Sequence, residues 1–123
     1  MLRSIHLPSQ PPIGPYSPAV VAGNTIYVSG QIPRDASGKL VNDSIESATR
    51  QSLENVRAVL LAAGCSPAGV VKTTVFMLDL AEFDGMNKVY AEFFGEHRPA
   101  RSTVQVSRLP AGARVEIDCI AMV

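Results

Sequence analysis

Residues 99–123 read PARSTVQVSRLPAGARVEIDCIAMV, and their alternation sets the expected sheet. Arg101, Thr103 and Gln105 alternate with Ser102, Val104 and Val106. Arg114, Glu116 and Asp118 alternate with Val115, Ile117 and Cys119. Successive side chains of a strand point to opposite faces, so both runs predict half-buried strands. Leu109-Pro110-Ala111-Gly112 predicts the turn between them, with proline fixing one φ and glycine free to take a positive one. If the two strands pair, Arg101 and Glu116 lie on neighbouring strands on the polar face of one sheet. A guanidinium that grips a carboxylate then sits beside a carboxylate that handles a water. An ordinary cross-strand ion pair is the plainer reading of these two residues, and the residues alone favour it.

Upstream, strand and helix signals alternate. Val20-Val21-Ala22, Gly23-Asn24 and the run from Thr25 to Ser29 predict a β-hairpin, because Gly-Asn between β-branched runs suits a two-residue turn. Gly30 follows the second strand, where a glycine marks either a plain strand end or the close approach of another group. From Ile45, apolar residues recur at helical spacing through Leu53, Val56 and Leu60 to Ala63. Asp43 is the expected cap, Glu46 its capping-box partner and Gly64 the stop. Residues 70–78 predict a central strand, apolar on both faces. Strand, helix and strand make a βαβ unit with a right-handed crossover. Phe83, Met86, Tyr90, Phe93 and Phe94 mark a second amphipathic helix ended by Gly95, with Asn87 near its start. The order β-β-α-β-α-β-β predicts one α+β domain over residues 1–123, both helices on one sheet face. No helix remains for the other face, so another subunit is expected to cover it.

Before the hairpin, Pro8, Pro11, Pro12, Pro15 and Pro18 crowd residues 5–18 around Tyr16. Prolines lack an N–H and fix φ, which predicts an extended, ordered loop. Such a loop either presents Tyr16 to a site or packs its ring against the core. Eleven Lys plus Arg balance eleven Asp plus Glu, so a net basic charge for nucleic acid is missing. Neither Cys65 nor Cys119 lies in a C-x-x-C arrangement, and both read as reduced thiols. The first residues hold no apolar run of signal-peptide length, and no run reaches membrane-span length. A cytoplasmic address and no membrane partner are the expectation. No phosphate-binding loop, dinucleotide fingerprint, zinc-helix motif or nucleophile elbow occurs, and His6 and His97 stand far apart. A site without cofactor or metal, made of Arg, Glu, Tyr, Asn and backbone groups, is what remains.

Taken together, several segments resemble the RidA family, also called the YjgF family, of reactive intermediate deaminases. They are Ile13 to Pro18 (IGPYSP), Ser29 to Pro33 (SGQIP), Pro99 to Val104 (PARSTV), and Leu109-Pro110 followed by Val115 to Asp118 (VEID). Arg50 to Val56 (RQSLENV) and Val71 to Val75 (VKTTV) match as well. The likeness covers almost the whole chain in the right order.

The resemblance implies a chorismate-mutase-like fold with a mixed sheet, assembled as a homotrimer with clefts between subunits. It implies cofactor-free hydrolysis of 2-iminopropanoate and 2-iminobutanoate, formed from 2-aminoacrylate and 2-aminocrotonate, to 2-oxo acids and ammonia. It gives Arg101 the substrate carboxylate, a role suited to a planar fork of donors. It gives Glu116 the attacking water, with the Thr103 carbonyl as that water's second anchor. Thr103 stands where many members have cysteine, which excludes thiol chemistry there. Tyr16, Gly30 and Asn87 match pocket-lining positions. The link from Glu96 to Pro99 is shorter than in some members, which bears on the rim of the cleft. The rival expectation is a non-catalytic module that senses 2-oxo acids or acts in translation inhibition, RNA cleavage or chaperoning.

Overall fold

The computed structural model describes residues 2–8 and 10–123. Met1 and Ser9, which belong to the expected N-terminal segment and proline-rich loop, lie outside them. Six strands and two helices follow in the order β1 (Leu2–Ile5), β2 (Ala19–Ala22), β3 (Thr25–Gln31), α1 (Ile45–Ala62), β4 (Val70–Met77), α2 (Phe83–Phe94), β5 (Ala100–Gln105) and β6 (Val115–Met122). Residues 2–5 add an edge strand beyond the expected set. The strands form one sheet ordered β1-β2-β3-β6-β4-β5, antiparallel except for the parallel pair β4 and β5. The mixed α+β architecture is therefore the expected one.

One expectation fails. The two strands of residues 99–123 do not pair, because β4 lies between them. β6 runs through the middle of the sheet, where Val115, Ile117, Cys119 and Ala121 are all buried. The link from β5 crosses the end of β4 through a single helical turn at Pro110–Gly112. Ala111 and Gly112 take φ of 59° and 76° there, so the turn signal is real but does not close a hairpin. β3 and β4 are parallel to each other with β6 between them, so the first βαβ unit skips one strand.

α1 starts on Ser44 rather than Asp43. The Ser44 hydroxyl accepts from the Ser47 N–H at 3.0 Å, and the Ser47 hydroxyl accepts from the Ser44 N–H at 3.2 Å. Ser44-x-x-Ser47 supplies both halves of a capping box, which Asp43 and Glu46 would have to share with the wrong register. The expected hairpin turn is present, with Gly23 at φ 61° in its first central position, where a type II′ turn needs glycine. Gly64 and Gly95 end the two helices with positive φ. α1 lies across β3 and β6 and packs beside α2. Leu53, Val56 and Leu60 of α1, Met86 of α2, and Val75, Ile117 and Ala121 of the sheet close a single core. Cys65 and Cys119 are free thiols. None of the helices is long and apolar enough to cross a membrane among the described residues.

A split candidate active site

Register decides where the expected site residues point. Arg101 pairs with Thr73 of β4, which pairs in turn with Cys119 of β6; Thr73 and Cys119 are buried under the helices. Glu116 pairs with Phe76, on the face the helices leave open. Arg101 and Glu116 therefore lie on opposite sides of the sheet, two strands apart, which corrects the expectation of one shared polar face. A single copy does not bring them together.

The cationic half is built on β5 and α2. The Arg101 Nη1 donates to the Asn87 Oδ1 at 2.9 Å. The guanidinium carbon lies 4.6 Å from the Tyr90 ring centroid and 5.5 Å from that of Phe83. Phe83, Asn87 and Tyr90 stand at i, i+4 and i+7, one stripe of the helix, and that stripe forms the cradle. The ion pairs among the described residues are Arg50–Glu92, Arg57–Glu54 and Arg114–Glu82, so Arg101 has no carboxylate partner there. Its charge is held by a neutral amide and two aromatic faces and is left uncompensated. Thr103, two residues on along the same face, has a buried hydroxyl oxygen with no hydrogen-bond partner.

The acidic half is built on β3 and β6. Val28 pairs with Cys119 and Gln31 with Ile117, so Ser29 and Gly30 together face the single residue Asp118. This bulge turns Gly30 to the open face, beside Glu116. A Cβ on Gly30 would lie 2.5 Å from the Glu116 Oε2 and 2.7 Å from its Cδ, so only glycine leaves room for the carboxylate. Burial pushes the Glu116 carboxyl above the usual carboxylate value, and the Asp118 charge beside it pushes the same way. Burial also raises Asp118, partly offset by hydrogen bonds from Thr74 and by the Lys72 charge. Tyr16 is 47% exposed, so its ring is presented rather than packed into the core. It shares with Gly30 a cavity of about 60 Å³ that Pro11, Gln31, Arg34 and Asn55 also line. Asn55 fixes that wall by donating to the carbonyls of Ile32 at 3.0 Å and Arg34 at 2.9 Å.

The expected residues thus fall into two groups, Arg101, Thr103 and Asn87 on one side and Glu116, Gly30 and Tyr16 on the other. Phe83 and Tyr90 were expected only as markers of the second amphipathic helix, and their contact with Arg101 was not expected. Their spacing around Asn87 was the available signal. No group of three His, Cys, Asp or Glu side chains suited to a metal occurs among the described residues.

The fold is an α+β sheet with two helices on one face, an arginine on that side without a carboxylate partner among the described residues, and a carboxyl raised by burial on the open face. The chain belongs to the family described as endoribonuclease L-PSP, which is the RidA or YjgF family; the family model matches residues 7–123. It is 52% identical over 111 residues to a RutC family protein of Pyrococcus horikoshii, covering 89% of this chain and 88% of that one. It is 45% identical to the human 2-iminobutanoate/2-iminopropanoate deaminase, covering 89% and 81% of the two chains. Among solved structures it matches E. coli TdcF with bound serine, with a TM-score of 0.92, 42% identity and 98% of each chain covered.

Proposed function

We propose that this chain hydrolyses short 2-imino acids, 2-iminopropanoate and 2-iminobutanoate, to 2-oxo acids and ammonia. The reaction takes place in clefts between the copies of a homotrimer. The observation that carries this reading is the Arg101 guanidinium, oriented by Asn87 yet paired with no carboxylate among the described residues. The human relative's name and the serine bound to E. coli TdcF support a small amino-acid-derived substrate.

The division of the site supports the assembly. Each cleft takes Arg101, Asn87 and Thr103 from one copy and Glu116, Gly30 and Tyr16 from its neighbour. Tyr27, Val71, Val104 and Met122 are exposed apolar residues of the open face, and a second copy covers them. The substrate carboxylate docks on Arg101 through parallel hydrogen bonds, which fixes the position of the C=N carbon. A water held by Glu116 and the Thr103 carbonyl attacks that carbon. Glu116 takes one proton of the water and passes it to the nitrogen, giving a carbinolamine; it then carries the carbinolamine hydroxyl proton to the same nitrogen, the C–N bond breaks, ammonia leaves, and the carbonyl forms. A carboxyl whose proton affinity is raised by burial suits both transfers.

The test is activity in mixed oligomers. Arg101→Lys and Glu116→Gln chains are each expected to lose most ammonia release from freshly generated 2-aminoacrylate. Unfolded together in equal amounts and refolded, they recover about a quarter of the parent activity, because one cleft in four joins two intact halves. A mixture no more active than its components refutes the shared cleft.

A further inference from the structure

Thr73 and Tyr90 lie behind Arg101, and neither has a role in the hydrolysis described above. Thr73 is 1% exposed and is the register partner of Arg101 on β4. Tyr90 is 6% exposed and reaches down from α2 onto the same sheet face. Their hydroxyl oxygens are 2.7 Å apart, a buried hydrogen bond between strand and helix. The Tyr90 ring that this bond locks is the nearer of the two aromatic faces to the guanidinium. A long arginine side chain has many rotamers, and a carboxylate partner is the usual means of ordering it. A carboxylate here would neutralise the charge the ligand needs. An aromatic face orders a weakly hydrated guanidinium without neutralising it.

We infer that Tyr90, locked in place by Thr73, is the positioning residue that aims Arg101 at the carboxylate of its ligand. This rests on the proposed role of Arg101 and deepens it. Burial also pushes the Tyr90 phenol above its usual value, so the hydroxyl stays neutral and keeps its hydrogen bond across the working pH range. If the lock fails, the ring tilts and Arg101 samples other rotamers. The cost falls on ligand capture more than on the chemical step, because Glu116, which moves the protons, belongs to the other half of the site.

The variants are Thr73→Val, which keeps the shape but loses the hydroxyl, Tyr90→Phe, and the double variant. The readouts are the Kd for 2-oxobutanoate by calorimetry, KM and kcat for ammonia release, and the melting temperature. Each single variant should raise Kd and KM about tenfold while kcat changes less than about threefold. The double variant should be no worse than either single one, because all three break the same bond. Thr73→Ser, which keeps a hydroxyl, should regain most of the affinity lost in Thr73→Val. Parent-like Kd in the two single variants overturns the inference, as does a fall in melting temperature with Kd unmoved. Additive losses in the double variant overturn it too, because they mean two separate effects. If the parent binds 2-oxobutanoate but releases no ammonia, the hydrolase reading fails and the Kd comparison still decides this one. A parent that binds no carboxylate overturns both.

Discussion

Gly30→Ala isolates the carboxylate half of the site. The added methyl would lie 2.5 Å from the Glu116 Oε2 and 3.0 Å from its Cγ, while ordinary contact begins near 3.4 Å, so the carboxylate must retreat by about 1 Å. The backbone itself takes an alanine without strain, because Gly30 is not among the residues with positive φ. A misplacement of about 1 Å in a reacting group can cost roughly a hundredfold in rate. That equals about 2.7 kcal/mol on the barrier. The fold has an easier escape. What the methyl meets is the far part of a flexible side chain, so unfolding stability should fall by only about 1 kcal/mol, the low end for overpacking. The assay follows ammonia released from an enzymatically generated imine, beside a thermal melt and calorimetric binding of 2-oxobutanoate. The expected result is a kcat lowered about a hundredfold with the melt nearly in place and the oxo acid still bound. A Gly30→Ala chain that turns over at the parent rate refutes the argument that Glu116, held where it is by the absence of a Cβ, delivers the water.

Two further outcomes follow from the same geometry. Arg101→Lys keeps the charge but loses the fork, and should cut kcat/KM about a hundredfold with an unchanged fold; parent-like kcat/KM would remove Arg101 from the site. Glu116→Gln tests the electrostatics through stability. The carboxyl is raised in the fold, so between its unfolded and folded values the folded chain binds more protons, and stability falls as pH rises through that window. Glu116→Gln should therefore melt above the parent at pH 7 and converge with it below about pH 4, where the parent carboxyl is protonated in both states. A variant that melts below the parent at pH 7 would mean that the native carboxylate is favourably paired and not desolvated.

Five of the six strands of this sheet, all but the edge strand β1, were legible because alternation is a local property. Val115, Ile117, Cys119 and Ala121 announce a strand whatever lies beside them. Strand order is not local. Residues 99–123 carry the same pattern whether the strands they form pair directly or straddle β4, and Pro110 and Gly112 suit either connection. The cap of α1 shows the same limit on a smaller scale. Asp43 and Ser44 are both good caps, and the Ser47 hydroxyl decided between them. For the site, the residues alone favoured a bland ion pair between Arg101 and Glu116, and the family resemblance supplied their identities. Alternation with an assumed direct pairing put both on one polar face; their true, opposite faces depend on register across three strands. Gly30 signalled the close approach of another group only as one of two readings; that group is the Glu116 carboxylate, and the bulge opposite Asp118 that turns Gly30 toward it had no signal of its own.

The opposite faces of Arg101 and Glu116 have a consequence for how activity depends on folding. A side chain crosses a sheet only when its register shifts by an odd number of residues, and such a shift on β6 would turn the buried Val115, Ile117, Cys119 and Ala121 out onto the open face. The core therefore keeps Glu116 on the open face, away from the Arg101 of the same copy. Under the proposed function, activity then requires a neighbour, and the apolar open face that draws the neighbour in is the face that carries Glu116. Covering that face removes more water from Glu116, which raises its proton affinity, while the Arg101 that the neighbour brings to the cleft lowers it. Assembly thus completes the site, and dilution below the assembly threshold should remove activity even though each copy keeps its own half.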